Sequence, residues 1–178
     1  MRRYWLALTD PRLKAAMHAL ERAGAALGDL AAAPAGAAAF FAPLKKSLAK
    51  AAGARPGNPA GSAALAAAED LTLRLERAFS DMARLEAPPD AAARHALLAL
   101  QRACALTPRL VSRSSRAAAF AQAAALCNTG HKTLALARAA ADRAPGEFPL
   151  NLKFSSIYSG LDAVFCAFER CAEALIAS

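Results

Sequence analysis

The chain has little of what builds a β-sheet. Valine and isoleucine occur twice each in 178 residues, aromatics make up 6%, and there is one tryptophan. A pleated surface packs β-branched and aromatic side chains, so a sheet here would have almost nothing to bury. Alanine, nearly a third of the chain, stands with leucine and arginine in its place, and these favour helix through backbone propensity. An all-α fold follows. The length suits one domain, residues 1–178, with a sizeable core.

Long apolar runs are also missing. "MRRYWLALTDP" starts basic, but its apolar run stops at Thr-Asp-Pro, short of a secretory signal. "AAAPAGAAAFFAPL" carries no charge over 14 residues, yet it is mostly alanine, broken by proline and too short to span a bilayer. A cytoplasmic location is expected. Of four cysteines, Cys104 and Cys127 stand alone, while Cys166 and Cys171 are five apart and so point to different sides of one helix. In such a chain they read as small buried apolar residues.

Signatures of catalysis are lacking as well. His18, His95 and His131 fall on three different predicted helices, none with a second His or Cys at i+4. There is no G-x-S-x-G, no phosphate-binding Gly-rich loop with lysine and no H-E-x-x-H. His131-Lys132 is similar to phosphotransfer modules, but those place lysine a turn later beside a glycine, whereas Gly130 precedes the histidine here. No enzyme activity is expected.

What is abundant is positive charge. The net charge is +8, carried by residues 1–50 and 101–150 at about +5 each, while 51–100 and 151–178 are each about −1. A basic face could meet an anionic partner such as nucleic acid or a granule surface. No aromatics interleave with the basic residues as stacking on bases requires, so the nucleic-acid signal is not strong and a solvated surface fits better.

Helix signals divide the chain. Asp10-Pro11 caps and opens a first helix that runs to about Ala33, before Pro34. A second spans roughly Ala37 to Ala52 and ends at Gly53, with Pro43 as a kink or a later start. Residues 53–61, rich in Gly and Pro, read as a mobile loop. Ser62 caps a third helix with Ala68, Leu71, Leu75, Ala78, Met82 and Leu85 on one stripe. Asp90 caps a fourth, which buries Leu97, Leu100, Cys104 and Val111 and is bent or ended by Pro108. Ser114 or Ser115 caps the fifth, about Arg116 to Arg143.

The sixth, about Leu152 to Ala177, has the most regular stripe: Phe154, Ile157, Leu161, Val164, Phe168, Cys171 and Leu175 at alternating steps of three and four. Phe165 and Tyr158 make a second face apolar, so this helix should lie centrally or at a dimer seam. Gly160, in mid-helix, costs about 1 kcal/mol relative to alanine, which a close helix contact could offset. Six helices with short connections read as an antiparallel bundle.

Paired acids on facing helices can hold metals in bundles. The weak candidates are Glu69 and, in the sixth helix, Asp162, Cys166 and Glu169. Asp162 and Glu169 are seven apart and share a face, where they could equally pair with Arg170. Asp162 and Cys166 could serve one softer ion such as zinc, with His131 as a further ligand.

With the helices placed, "FPLNLKFSSIYSGLDAVFCAFERCAEAL" resembles the last helix of PhoU-like proteins, in the branch that accompanies Pit-type phosphate transporters. The likeness is carried by Pro149, Leu150, Lys153, Ile157-Tyr158, Leu161-Asp162 and Glu169. "AEDLTLRL" is similar to the family's acid-rich segment through Glu69, Leu71 and Thr72. The helix after Asp90 matches at His95, Ala96 and Leu97, and Leu126-Cys127 fits the fifth helix. Residues 62–178 are covered in order. The resemblance implies six helices in two three-helix halves and a regulator of phosphate transport. It also implies a partner in the transporter or its regulatory components; separately, a homo-oligomer, most simply a dimer, is expected. The family's Glu/Asp-x-x-x-Asp metal motif is largely lost: its slots read Leu65 with Glu69, Gln101 or Arg102 with Ala105, and Asp162 with Cys166. No cofactor, no multinuclear cluster and fewer than one metal per chain are therefore expected.

Overall fold

A computed structural model describes residues 10–54, 59–143 and 148–178. Among these residues the fold is all helical. The helices are α1 (Pro11–Ala32), α2 (Ala37–Ala52), α3 (Pro59–Arg84), α4 (Ala91–Cys104), the four-residue α5 (Thr107–Leu110), α6 (Arg116–Arg143) and α7 (Phe148–Ala177), with a 3-10 turn at Pro34–Gly36.

Local chemistry sets the boundaries. Asp10 accepts from the Arg12 and Leu13 amides, two of the orphan donors at the start of α1. Asp90 does the same for α4 through the Ala93 amide at 2.8 Å. Pro43 lies inside α2, which continues through it. Ser62 is not the cap of α3, because the helix already begins at Pro59; its hydroxyl accepts from Arg12 instead, at 2.6 Å. Gly53 closes α2 and Pro59–Gly61 already belong to α3, so the expected loop shrinks, and residues 55–58 lie outside the described ones. The fourth helix ends at Cys104, and Pro108 sits in α5 with Val111 only partly buried. Ser115 offers its backbone carbonyl to Ala119 at 2.9 Å, while its hydroxyl turns away to the Arg109 carbonyl. The last helix starts at Phe148, a turn earlier than expected.

The helices pack side by side along several seams. Arg12 near the start of α1 donates to the Ala52 and Ala54 carbonyls at the end of α2 and to Ser62 in the first turn of α3. Hence α1 and α2 are antiparallel, while α1 and α3 start side by side. Tyr158, early in α7, donates at 2.5 Å to Asp90 at the start of α4, and α6 runs antiparallel to α7. Helix α7 also packs along α3, and α1 along α4, where Asp70 meets Arg170 and Leu27 lies near Leu97.

Helix α7 occupies the centre, packed on α3 and α6 and touching α4. Ile157, Leu161, Val164, Phe168, Cys171 and Leu175 are buried along its main stripe, Tyr158 and Phe165 on the adjoining face, and Phe154 is partly covered. Each fully buried large side chain contributes about 1.5–3 kcal/mol, so this one helix holds a large share of the core. The α3 stripe is buried from Ala68 to Met82, and Leu85 is partly so.

Gly160 is not the close contact that its position suggested: a methyl there would meet only the Ala78 methyl, at an ordinary 3.9 Å. The tight crossing lies at Gly130 of α6, where a methyl would overlap the Phe165 ring. Small size at position 130 lets α6 close on α7.

Candidate functional site

That crossing is also where the chain gathers its chemistry. Residue 131 follows the tight glycine on α6, and Asp162, Cys166 and Glu169 follow one another at i, i+4 and i+7 along the facing side of α7. The His131 ring leans on the buried Phe165 ring, with centroids 5.4 Å apart. Its Nδ1 lies 2.5 Å from Asp162 Oδ1, and its Nε2 lies 3.5 Å from Glu169 Oε2. An ionised carboxylate only accepts, so a hydrogen bond to Asp162 has Nδ1–H as its donor. Nε2 faces Glu169 either as a second N–H donor in the protonated ring or, in the neutral tautomer, as a lone pair open to a cation. Ligand atoms of His131, Cys166 and Glu169 all lie within 4.8 Å of one another.

The surroundings are half-wet. The His131 side chain is 25% exposed, Glu169 39% and Asp162 50%. Burial pushes the Cys166 thiol up from its ordinary value, the Asp162 and Glu169 carboxylates push it further, and Arg170 works against them. A groove of about 310 Å³ opens beside Asp162, bordered by Arg138, Asp142 and Tyr158, and another of about 230 Å³ lies beside Glu169 above Cys127.

Of the four sequence candidates, the structure brings Asp162, Cys166 and Glu169 together and leaves Glu69 out. Glu69 is exposed on α3; its neighbour Asp70 instead pairs with Arg74 at 2.9 Å and Arg170 at 2.5 Å. Arg170 is thereby engaged on the α3 side, and the acids of α7 face His131 rather than the guanidinium. Cys166 is exposed, unlike Cys104, Cys127 and Cys171, which are buried. Burial raises the Cys127 and Cys171 thiols to about 12, with Glu169 and Cys166 adding to the effect at Cys127. Cys166 and Cys171 do face different helices: the Cys171 thiol points at the Ala64 carbonyl of α3 at 3.9 Å.

His131 has no second His or Cys on its own helix at i+4, and its partners come from the facing helix. The missed signal is one of symmetry. In an antiparallel hairpin, residues at similar distances from the turn face each other, and 131 lies 12 residues before the end of α6 while 162 lies 14 after the start of α7. No protein-family model matches the chain, and it has no match among curated proteins or solved structures.

Proposed function

We propose that the chain is a non-enzymatic accessory or regulatory protein of the PhoU-like kind, acting on phosphate transport through contact with a partner protein. The observation that carries this reading is an all-helical bundle with six long helices, α1–α4, α6 and α7, the helix count that the sequence resemblance implies. The contact surface fits the same reading. Phe148, Leu150 and Leu152 are exposed large apolar residues in the first turns of α7, inside the "FPLNLK" lead-in that carries part of the resemblance, and neighbouring exposed apolar side chains mark interaction sites on soluble proteins.

The test is phosphate uptake by source cells with and without the chain, together with co-purification of the chain with the transporter. Altered uptake, restored by the native chain but not by Phe148→Ser combined with Leu152→Ser, is the expected result. Unchanged uptake and no association with the transporter would overturn the reading. Sub-micromolar binding to random duplex DNA that persists at about 200 mM salt, where charge-driven binding collapses, would favour an anionic partner instead.

A further inference from the structure

We infer that the α6/α7 crossing is a binding site for one borderline-soft divalent cation of the zinc class, held by His131 Nε2, Cys166 Sγ and a Glu169 carboxylate oxygen. The inference is independent of the phosphate-transport reading.

Three features of the geometry carry it. The first is ligand type: imidazole, thiolate and carboxylate together suit zinc or cobalt over magnesium or calcium, which favour all-oxygen shells. The second is spacing. Zinc bonds of about 2.0–2.1 Å to nitrogen and oxygen at the tetrahedral angle separate the two ligand atoms by about 3.4 Å, and Nε2 and Oε2 already stand 3.5 Å apart. The sulfur bond of about 2.3 Å requires about 3.6 Å from Sγ to each. The three ligand atoms lie within 4.8 Å, so Sγ has to move by no more than about 1.3 Å to reach these bond lengths, which rotation of an exposed side chain can supply.

The third feature is what lies behind the histidine. Metal-bound imidazoles donate their other N–H to a carboxylate or carbonyl, which fixes the tautomer and strengthens the ligand. Asp162 stands 2.5 Å from Nδ1 in that role, and Phe165 supports the ring from beneath. A protonated ring between two carboxylates would make the same two contacts; what sets this site apart is the Cys166 thiol grouped with the second nitrogen and Glu169.

The expectation of fewer than one metal per chain counts Asp162 and Cys166 of one helix as ligands, with His131 only a candidate for a further one. The Gly130 crossing adds a third from the neighbouring helix. With three protein ligands, a fourth position is left for water or an added ligand, as in open zinc sites. The expectation that no multinuclear cluster forms is kept, because one thiol, one imidazole and one carboxylate suffice for one ion only.

The test is titration of the full-length, untagged, chelator-treated chain with cobalt(II) and then zinc(II) chloride. One cobalt per chain should bind, with a thiolate-to-cobalt charge-transfer band and the intense visible bands of a four-coordinate ion, and zinc should displace it. Cys166→Ser should abolish the charge-transfer band. His131→Ala and Glu169→Gln should each weaken binding at least about tenfold, and Asp162→Asn by about 10–100-fold with the band retained, as for other outer partners of a metal-bound histidine. Glu69→Gln should change nothing. All five substituted side chains are at least partly exposed, and helical circular dichroism checks that each variant folds. A folded chain that gives no charge-transfer band would overturn the site. So would a band that persists in Cys166→Ser, or affinity unchanged in His131→Ala.

Discussion

Helix α7 packs against α3 on one side and α6 on the other, and the two seams differ in kind. Against α3 the contact is dry, with Leu161, Val164 and Phe168 in the buried stripe, the Cys171 thiol turned to a backbone carbonyl, and charge only at the rim, where Asp70 meets Arg74 and Arg170. Against α6 a glycine brings the backbones close, and polar side chains from both helices converge over one buried ring. The lesson is that a regular apolar stripe marks where a helix is held, while its chemistry sits where the stripe is bordered by small residues and short polar chains.

Substitutions can break or sharpen this contrast. The largest effect is expected from Leu161→Asp. Leu161 is 1% exposed, and an unpaired buried charge costs several kcal/mol or leaves the chain molten; thermal melting followed by circular dichroism would show it. An unaltered melting temperature would remove α7 from the centre of the fold. Next, Gly130→Ala should destabilise by about 1–3 kcal/mol, because the Phe165 ring must yield to a methyl that the crossing has no room for. The opposite sign is expected at the other seam. Gly160→Ala adds a methyl at ordinary contact distance in a helix interior, and removing the glycine penalty should stabilise by up to about 1 kcal/mol. Denaturant unfolding of both variants side by side tests the asymmetry, which would fail if they shifted in the same direction.

The smallest effect belongs to the rim of the α3 seam. Burial raises the Asp70 carboxyl, but hydrogen bonds and charge from Arg74 and then Arg170 outweigh it and hold the group below its ordinary 3.8. A carboxyl depressed in the folded state contributes stability above its unfolded value and loses it as pH falls through the folded one. Asp70→Asn should therefore cost under about 1 kcal/mol at neutral pH, as exposed pairs do. That difference should fade below about pH 3.8, as measured by urea unfolding over a pH series.

Much of the fold was legible because its signals are local. Asp10 and Asp90 cap the helices that their positions announce, and the three-four alternation from Ile157 to Leu175 is the buried stripe of α7. Boundaries near proline and glycine were less so: "PAG" at 59–61 reads as turn, yet it winds into the first turn of α3, where Gly61 lies against Asp10. Side-chain partners between helices were least legible. Asp162 and Glu169 were correctly placed on one face, but which helix that face meets depends on packing. Arg170, the nearby cation in sequence, is drawn to Asp70 on the opposite seam, which leaves the acids to His131. Gly130 was the usable clue. A glycine buried in mid-helix with a bulky aromatic opposite marks a close crossing, and what lies next to a close crossing can touch.

The most direct test of the difference between the seams is zinc X-ray absorption on the loaded native chain, with Cys166→Ser alongside. The account predicts one sulfur per zinc at about 2.3 Å with nitrogen and oxygen neighbours at about 2.0–2.1 Å, the sulfur shell being lost in the variant. A shell of nitrogen and oxygen alone in the native chain would contradict it.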